Sequence, residues 1–457
     1  MSPLPPGPRS SLLATMQIIR DPYATQRALR ARYGDVVTFP SLNGVLVLGH
    51  TPAFAKAVFT ADPDRFGAWA TETLSAVLEP RSLLVSSGEQ HKRDRKLLTP
   101  PFHGARMRAY GTQTRALARA GLDARFAPGA QVTTQDVTTA ITLDVILATV
   151  FGVQPGPAED EGRAILGQVV REFHPAILFT KKLHTTLFPP WRRFLVTRER
   201  FRAWLGARIA EAHERMRAGA GDESVLGLML AARYDDGTEM SDSDIAVQLV
   251  TLLIAGHETT SIALAWAVHW LLRDPAALAR LRAELDALGP DADPESIAKL
   301  PYLGAVCDET MRMNPIITEV LRALKKPLRV PGPDGAEIEV PAGIGVGVGI
   351  AAIHEDPAIY PEPHRFRPER FLERKYGPFE HLPFGGGHRR CIGAAFAMYE
   401  MKLVLATMVS EWNLELARPG AERPVRRNVT MGPEHGVPIR VLGRRAVALT
   451  PRAIDAA

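Results

Sequence analysis

Two cysteines in 457 residues, Cys307 and Cys391, are too few for a disulfide framework or a four-cysteine zinc site. Their scarcity fits a reducing compartment, so the expected location is the cytoplasm. Charge of one sign is scarce as well: 55 Lys and Arg against 50 Asp and Glu leave a formal +5, and no nucleic-acid partner is expected from that balance. The first nine residues are proline-rich and contain neither a signal-peptide apolar core nor an anchor helix, so no membrane anchor is expected. A Gly-Lys-Ser/Thr phosphate loop is missing. The run Gly343 to Gly349 has glycine at every second place, but Val348 and Ile350 stand where a dinucleotide fingerprint needs its third glycine. Its period of two reads as a strand. With no repeat or low-complexity block, 46% hydrophobic and 23% charged residues describe an ordinary globular chain, expected as one body.

What is present centres on Phe384-Gly385-Gly386-Gly387-His388-Arg389-Arg390-Cys391-Ile392-Gly393. Three glycines open backbone angles closed to other residues and let another group approach the main chain. An apolar helical run is read from Ile392 to about Trp412, so the Cys391 sulfur is expected beside unpaired N–H groups at its start, which favours thiolate. A thiolate is a strong iron ligand. Arg389 adds a fixed positive charge suited to a carboxylate of the protein or of a cofactor. Phe384, Gly387, Arg389, Cys391 and Gly393 together match the haem-ligand signature of the cytochromes P450, and the chain resembles that family, in its soluble bacterial form, over nearly its whole length.

Other stretches extend the resemblance. Ile245 to Leu272 is long and apolar enough for a membrane span, but His257 and Glu258 at its centre would be costly in lipid. A buried helix is expected, capped by Ser241, Asp242 or Ser243. Within it, Ala255-Gly256-His257-Glu258-Thr259-Thr260 is similar to the family's oxygen-activation motif. Small residues at 255 and 256 are expected to let the helix pass close to a flat cofactor. Thr259 shares a face with Ala255 and can bond back to its carbonyl, while Glu258 can relay protons; His257 is read as packing. Glu309 and Arg312 lie three apart on a helix face, and by resemblance they join Arg370 in a buried structural cluster beneath the cysteine loop. Cys307 is read as a buried neutral thiol.

The resemblance implies a mainly α fold with a smaller β-rich lobe (α+β), enclosing haem b between two long helices. One domain is expected over 1–457, with 10–85 and 315–350 contributing the β-rich lobe and 86–314 and 351–412 mainly helical. Pro22 to Tyr33 reads as a helix capped by Asp21, and Val36 to Leu48 as a hairpin turning at Asn43-Gly44. Met107 to Arg125 and Arg193 to Arg217 read as helices, joined through a proline-broken apolar connection around Phe173 to Phe179 and Leu187 to Trp191. His91, Arg95, Arg322 and Arg389 are implied to meet the haem propionates, with Ala255, Phe384, Gly385 and Gly393 also at the cofactor and Cys391 on the metal. Phe66, Trp69, Leu83, Phe173, Thr251, Ala255, Ile316, Ile317, Val320 and Met431 are expected, by region, around the substrate.

No charged anchor stands among those pocket residues, so the implied reaction is hydroxylation or epoxidation of a lipophilic molecule: a fatty acid, terpenoid, steroid or polyketide. Thr259 and Glu258 would organise protons for O2 reduction. No reductase domain is fused, so electrons would come from ferredoxin and ferredoxin reductase, with NAD(P)H used only indirectly. Lys92, Arg93, Lys96, Arg106, Arg108 and Arg390 are expected to form a basic docking face, and the protein is expected to be a monomer. The competing readings are a peroxide-driven or rearranging haem-thiolate enzyme and a haem sensor or carrier without turnover.

Overall fold

Ser241 starts the longest helix: its hydroxyl accepts the Asp244 N–H at 3.2 Å, and the helix runs from Asp242 to Arg273. Leu249, Leu253, Ile262, Trp266 and Leu271, on different sides of it, are all buried, so this central helix is the axis of the main apolar core. It is long and apolar enough to cross a membrane, but 56% of its most apolar window is buried inside the molecule, the pattern of a core helix. A computed structural model of the chain describes residues 4–446 except 70, 72–74, 76, 77, 105, 154, 155 and 173–182.

Two helices embrace the central one. Thr134–Thr149 crosses it with side chains that bond its backbone: Thr138 Oγ1 donates to Ser261 O at 3.0 Å and Thr142 Oγ1 to His257 O at 3.1 Å. Ala394–Glu411 packs elsewhere on the same core. Arg106–Asp123 and Pro189–Arg217 form the expected outer helices. Pro189 and Pro190, read from sequence as part of a broken connection, occupy the first turn of the second of these, with Phe188 as its cap. The correction is physical: first-turn N–H groups have no helical partner, so proline costs nothing there.

A second apolar cluster belongs to a five-stranded sheet, in which Val36–Ser41, Gly44–Gly49, Gly345–Gly349, Glu319–Leu324 and Phe66–Ala68 lie side by side in that order. Asp21 caps Pro22–Tyr33 as expected, accepting from Ala24 N–H at 2.9 Å. The hairpin pairs Ser41 with Gly44, so its turn falls on Leu42 and Asn43, one residue earlier than expected. Gly345–Gly349 is a strand with every residue buried, paired parallel to Gly44–Gly49 and antiparallel to Glu319–Leu324. A further three-stranded sheet joins Gln131–Thr133, Pro438–Arg444 and Trp412–Leu416, tying the last strand back to the helical part.

Candidate active site: a cysteine loop facing the central helix

The cysteine loop is held from below by buried charge. Glu309 accepts from Arg312 Nε at 2.7 Å and Nη2 at 2.9 Å, from Arg370 Nε at 3.0 Å and from the Arg367 N–H at 2.9 Å. All three side chains of this Glu309, Arg312 and Arg370 cluster are buried. Arg312 then donates to His354 O at 2.8 Å, and His354 Nε2 accepts from Leu382 N–H at 2.9 Å. Leu382 O accepts from Gly385 N–H at 2.9 Å, and Phe384 O accepts from Cys391 N–H at 3.0 Å. A continuous hydrogen-bonded path therefore runs from the cluster to the cysteine.

Cys391 lies deep in the fold, yet its side chain is accessible. The helix begins at Ala394 with Gly393 as its cap, so the sulfur sits before the first turn, not in it. Burial pushes the thiol pKa up, and the Gly393 N–H, Arg390 and Arg95 oppose that only in part. The thiolate expected from the helix end alone is thus left for a bound cation to complete. A Cβ placed on Gly393 would meet nothing within 4 Å, so there is open space at this glycine, two residues after the cysteine.

The central helix has a corresponding bare side. Ala255 is exposed, and Glu258 and Thr259 are half-buried, although their neighbours Leu253, His257 and Thr260 are buried. Thr259 Oγ1 donates to Ala255 O at 2.9 Å. A Cβ on Gly256 would meet Ile146 at 3.5 Å, so of the two small residues it is Ala255 that is exposed. Burial raises the Glu258 carboxyl pKa, and Arg427 opposes it. Arg427 was not identified from sequence, because it comes from a hairpin, Pro424–Arg427 with Thr430–Pro433, that only tertiary folding brings here.

A group of cations meets between the cysteine loop and the sheet. Burial, with Arg389, pulls Arg322 down to about 9, and burial with Arg95 pulls Arg389 down to about 10. Burial and the positive side chains of Arg389, Arg95, His388 and Arg322 hold His91 near 3. Arg95 Nη2 donates to Arg390 O at 2.5 Å, and Arg389 reaches only the carbonyls of Leu83, Leu84 and Ser86. Among the described residues no carboxylate pairs with Arg95, Arg322 or Arg389, and Arg389 Nε is buried without an acceptor. His388, which lies within the motif but was given no role from sequence, sits beside these arginines as a neutral ring, its pKa lowered to about 4 by burial and by Arg322, Arg389 and Arg95, and 5.9 Å from the rings of His91 and Phe66. Uncompensated buried charge of this kind fits a cofactor bearing two carboxylates, just as the accessible sulfur fits its metal.

Several residues expected around a substrate also make other contacts. Phe66 is 2% exposed in a sheet strand and stacks on His388. Trp69 packs on the sheet where Gly44 and Gly345 leave room; a Cβ at Gly345 would stand 2.5 Å from its ring. Thr251 spends its hydroxyl on Ser82 Oγ at 2.7 Å and Val247 O at 2.8 Å. Leu83 is core, its N–H bonded to Gln248 Oε1 at 3.0 Å and its carbonyl to Arg389. Residues 82–86 therefore form a bracket between the central helix and the cysteine loop. Met431 is buried with Tyr23 and Ala351, although its N–H holds Ile316 O at 2.9 Å. Ile316 is buried, Ile317 and Val320 are half-buried, and Val320 lies against Gly385. Phe173 lies outside the described residues.

Cys307 is fully buried with its pKa pushed up to about 12, a neutral thiol. The expected basic face is largely neutralised: Lys92 pairs with Glu89 and Asp64, Arg93 with Asp236, Lys96 with Asp235, Arg106 with Glu223 and Arg108 with Glu295.

The cytochrome P450 family model matches residues 3–437. Cytochrome P450 135B1 of Mycobacterium tuberculosis is 33% identical over 455 residues, spanning 98% of this chain and 94% of its own. Cytochrome P450 138 of the same organism is 35% identical over 418 residues, 91% of this chain and 90% of its own. Among solved structures, the cyanobacterial CYP120A1 with retinoic acid bound superposes with a TM-score of 0.82 at 24% identity, covering 96% of this chain and 99% of that one, a likeness of fold. The chain belongs to the cytochrome P450 family: a haem-thiolate monooxygenase working with haem b, O2 and a small-molecule substrate, on electrons delivered by redox partners.

Proposed function

We propose that this P450 hydroxylates or epoxidises a lipophilic molecule (a fatty acid, terpenoid, steroid or polyketide) as a cytoplasmic monomer supplied by a ferredoxin and its reductase. One observation carries the reading: Cys391 and Ala255 are both accessible, with half-buried Glu258 and Thr259 close to Ala255 on the same buried helix. Haem bound through a Cys391 thiolate supplies dioxygen activation, the thiolate favouring O–O cleavage. In this reading Arg322, Arg389, Arg95 and His91 receive the propionates, and Phe384, Gly385 and Gly393 shape the loop around the sulfur. Glu309, Arg312 and Arg370 are structural.

Thr259 donates its one proton to Ala255 O, so both lone pairs of Oγ1 can accept from water on the bare side of the helix. Glu258, its pKa raised by burial, can hold a proton closer to neutrality than an exposed carboxyl and pass it towards that water. Ile316, Ile317 and Val320 supply apolar wall.

The first test is the absorption spectrum of dithionite-reduced protein with carbon monoxide. A strongly red-shifted Soret band is expected; a band at the ordinary imidazole-haem position would overturn ligation by Cys391. For Thr259→Ala, peroxide release per electron should rise and product per electron should fall, and unchanged coupling removes Thr259 from proton delivery.

A further inference from the structure

The first helix turns its apolar side outward. Ser11–Arg20 starts at Ser10, whose hydroxyl accepts from Leu13 N–H at 3.3 Å, and ends where the Asp21 N–H donates to Gln17 O at 2.9 Å. Ala14 and Ile18 seat it on an apolar cluster with Leu29, Val37 and Phe39, and Arg426 Nη2 donates to Ile18 O at 3.3 Å. Leu12, Leu13, Met16 and Ile19 are left 41–60% exposed. Leu42, 64% exposed at the turn of the first hairpin, donates its N–H to Thr15 Oγ1 at 3.1 Å and so stands beside them. A helix packed on a globular body ordinarily shows polar and charged residues to water; here only Gln17 and Arg20 among its exposed positions do so. Single apolar residues scattered over a surface need no account, but a contiguous patch marks an interaction site.

Charge indicates what covers the patch. No Asp or Glu precedes Asp21, and Arg9 and Arg20 stand exposed at the two ends of the helix. Asp21 itself accepts from the Ala24 N–H. Two copies meeting through this patch about a two-fold axis would bring these arginines together with no acid of the helix to answer them, which disfavours a second chain as the occupant. The apolar side chains are aliphatic, without the Trp and Tyr that anchor protein partners. Anionic lipid complements both features, offering hydrocarbon to the aliphatic side chains and phosphate to the guanidinium groups. We infer that Ser11–Arg20 and the Leu42 turn form a docking surface for an anionic bilayer, with the helix lying in the plane of the headgroups. Ten residues are about half the length that spans a bilayer, so the contact is peripheral and reversible. The sequence shows only a short apolar run; packing against the sheet decides that its bulky side faces out.

The test floats full-length, haem-loaded protein with vesicles of phosphatidylcholine, alone or mixed with phosphatidylglycerol. The protein should bind the mixed vesicles more tightly than the neutral ones, and added salt should weaken that binding. Leu12→Gln combined with Met16→Gln keeps helix propensity and should weaken binding at least about tenfold, the scale of one buried aliphatic side chain. Arg9→Gln and Arg20→Gln should each weaken it about fivefold. All four side chains are exposed, so the urea midpoint and the reduced carbon monoxide spectrum of these variants should match wild type. Leu442→Gln, which alters a leucine 53% exposed on strand Pro438–Arg444, should leave binding unchanged. Wild-type protein that floats with neither vesicle overturns the proposal, as does binding that the Leu12→Gln, Met16→Gln pair leaves intact or that Leu442→Gln weakens as much. A dimer in sedimentation that this pair breaks, in place of vesicle binding, also overturns it and makes a second copy the occupant.

Discussion

Gly386 and Gly387 both meet Phe59, but one meets its side chain and the other its backbone. A Cβ on Gly386 would stand 2.4 Å from Phe59 Cδ2, whereas one on Gly387 would stand 2.5 Å from Phe59 O, and Gly387 also has φ +67°. A ring can be exchanged for something smaller; a carbonyl cannot. Gly386→Ala should cost about 1–3 kcal/mol as overpacking. Gly387→Ala adds about 1–2 kcal/mol for the left-handed backbone, roughly 2–5 kcal/mol in all. Phe59→Leu removes ring atoms at a cost of about 1–2 kcal/mol by itself. In that background Gly386→Ala should cost at least about 1 kcal/mol less than in the wild type, and Gly387→Ala should cost the same as before. Urea unfolding of the two double-mutant cycles measures these couplings, and the reduced carbon monoxide spectrum shows whether Cys391 still reaches iron. Equal coupling of the two glycines to residue 59 would refute the reasoning.

Other expectations follow from the same structure. Glu309→Gln leaves two buried arginines short of their counter-charge, and loss of one partner in such a cluster costs about 3–5 kcal/mol; the urea midpoint should fall sharply, and a midpoint close to wild type would contradict the buried role. Glu400 is buried with no partner on Oε1 among the described residues, and burial raises its pKa from 4.5 to about 8. Because the folded value lies above the unfolded one, the stability it contributes is full below about pH 4.5 and is lost as pH rises through about 8. Wild-type stability should therefore decline over that window and Glu400→Gln should flatten the decline, which unfolding at a series of pH values would show. Arg427→Gln removes the charge that holds down the Glu258 pKa, so the alkaline limb of product formed per electron should move to higher pH; an unmoved limb would exclude Arg427 from setting that proton. With five of the six expected docking cations already paired to acids, and Arg390 exposed, reduction by an acidic ferredoxin should depend only weakly on ionic strength. A steep fall in rate with salt would show that those pairs open on docking.

The features legible in the chain were those set by short sequence separations. A cap and its helix are neighbours, so Asp21 could be read directly and Ser241 narrowed to three adjacent candidates, and Thr259 lies one turn from the carbonyl it bonds. The cysteine motif spans ten residues, and its resemblance to the P450 signature pointed to thiolate-ligated haem. Glu309 and Arg312 lie on one helical turn, but Arg370 joins them from 61 residues away, and only resemblance linked it in advance. Tertiary structure decided what depends on groups distant in sequence. It seated Trp69 on glycines of two strands, used Thr251 and Leu83 to hold the bracket at 82–86, and brought Arg427 near Glu258. It also paired the cations expected on a docking face while leaving those beside Cys391, among the described residues, without an acid. Local spacing determines which atoms share a face of one element; burial and long-range neighbours determine whether a charge is answered, and that distinguishes a solvated surface from a binding site.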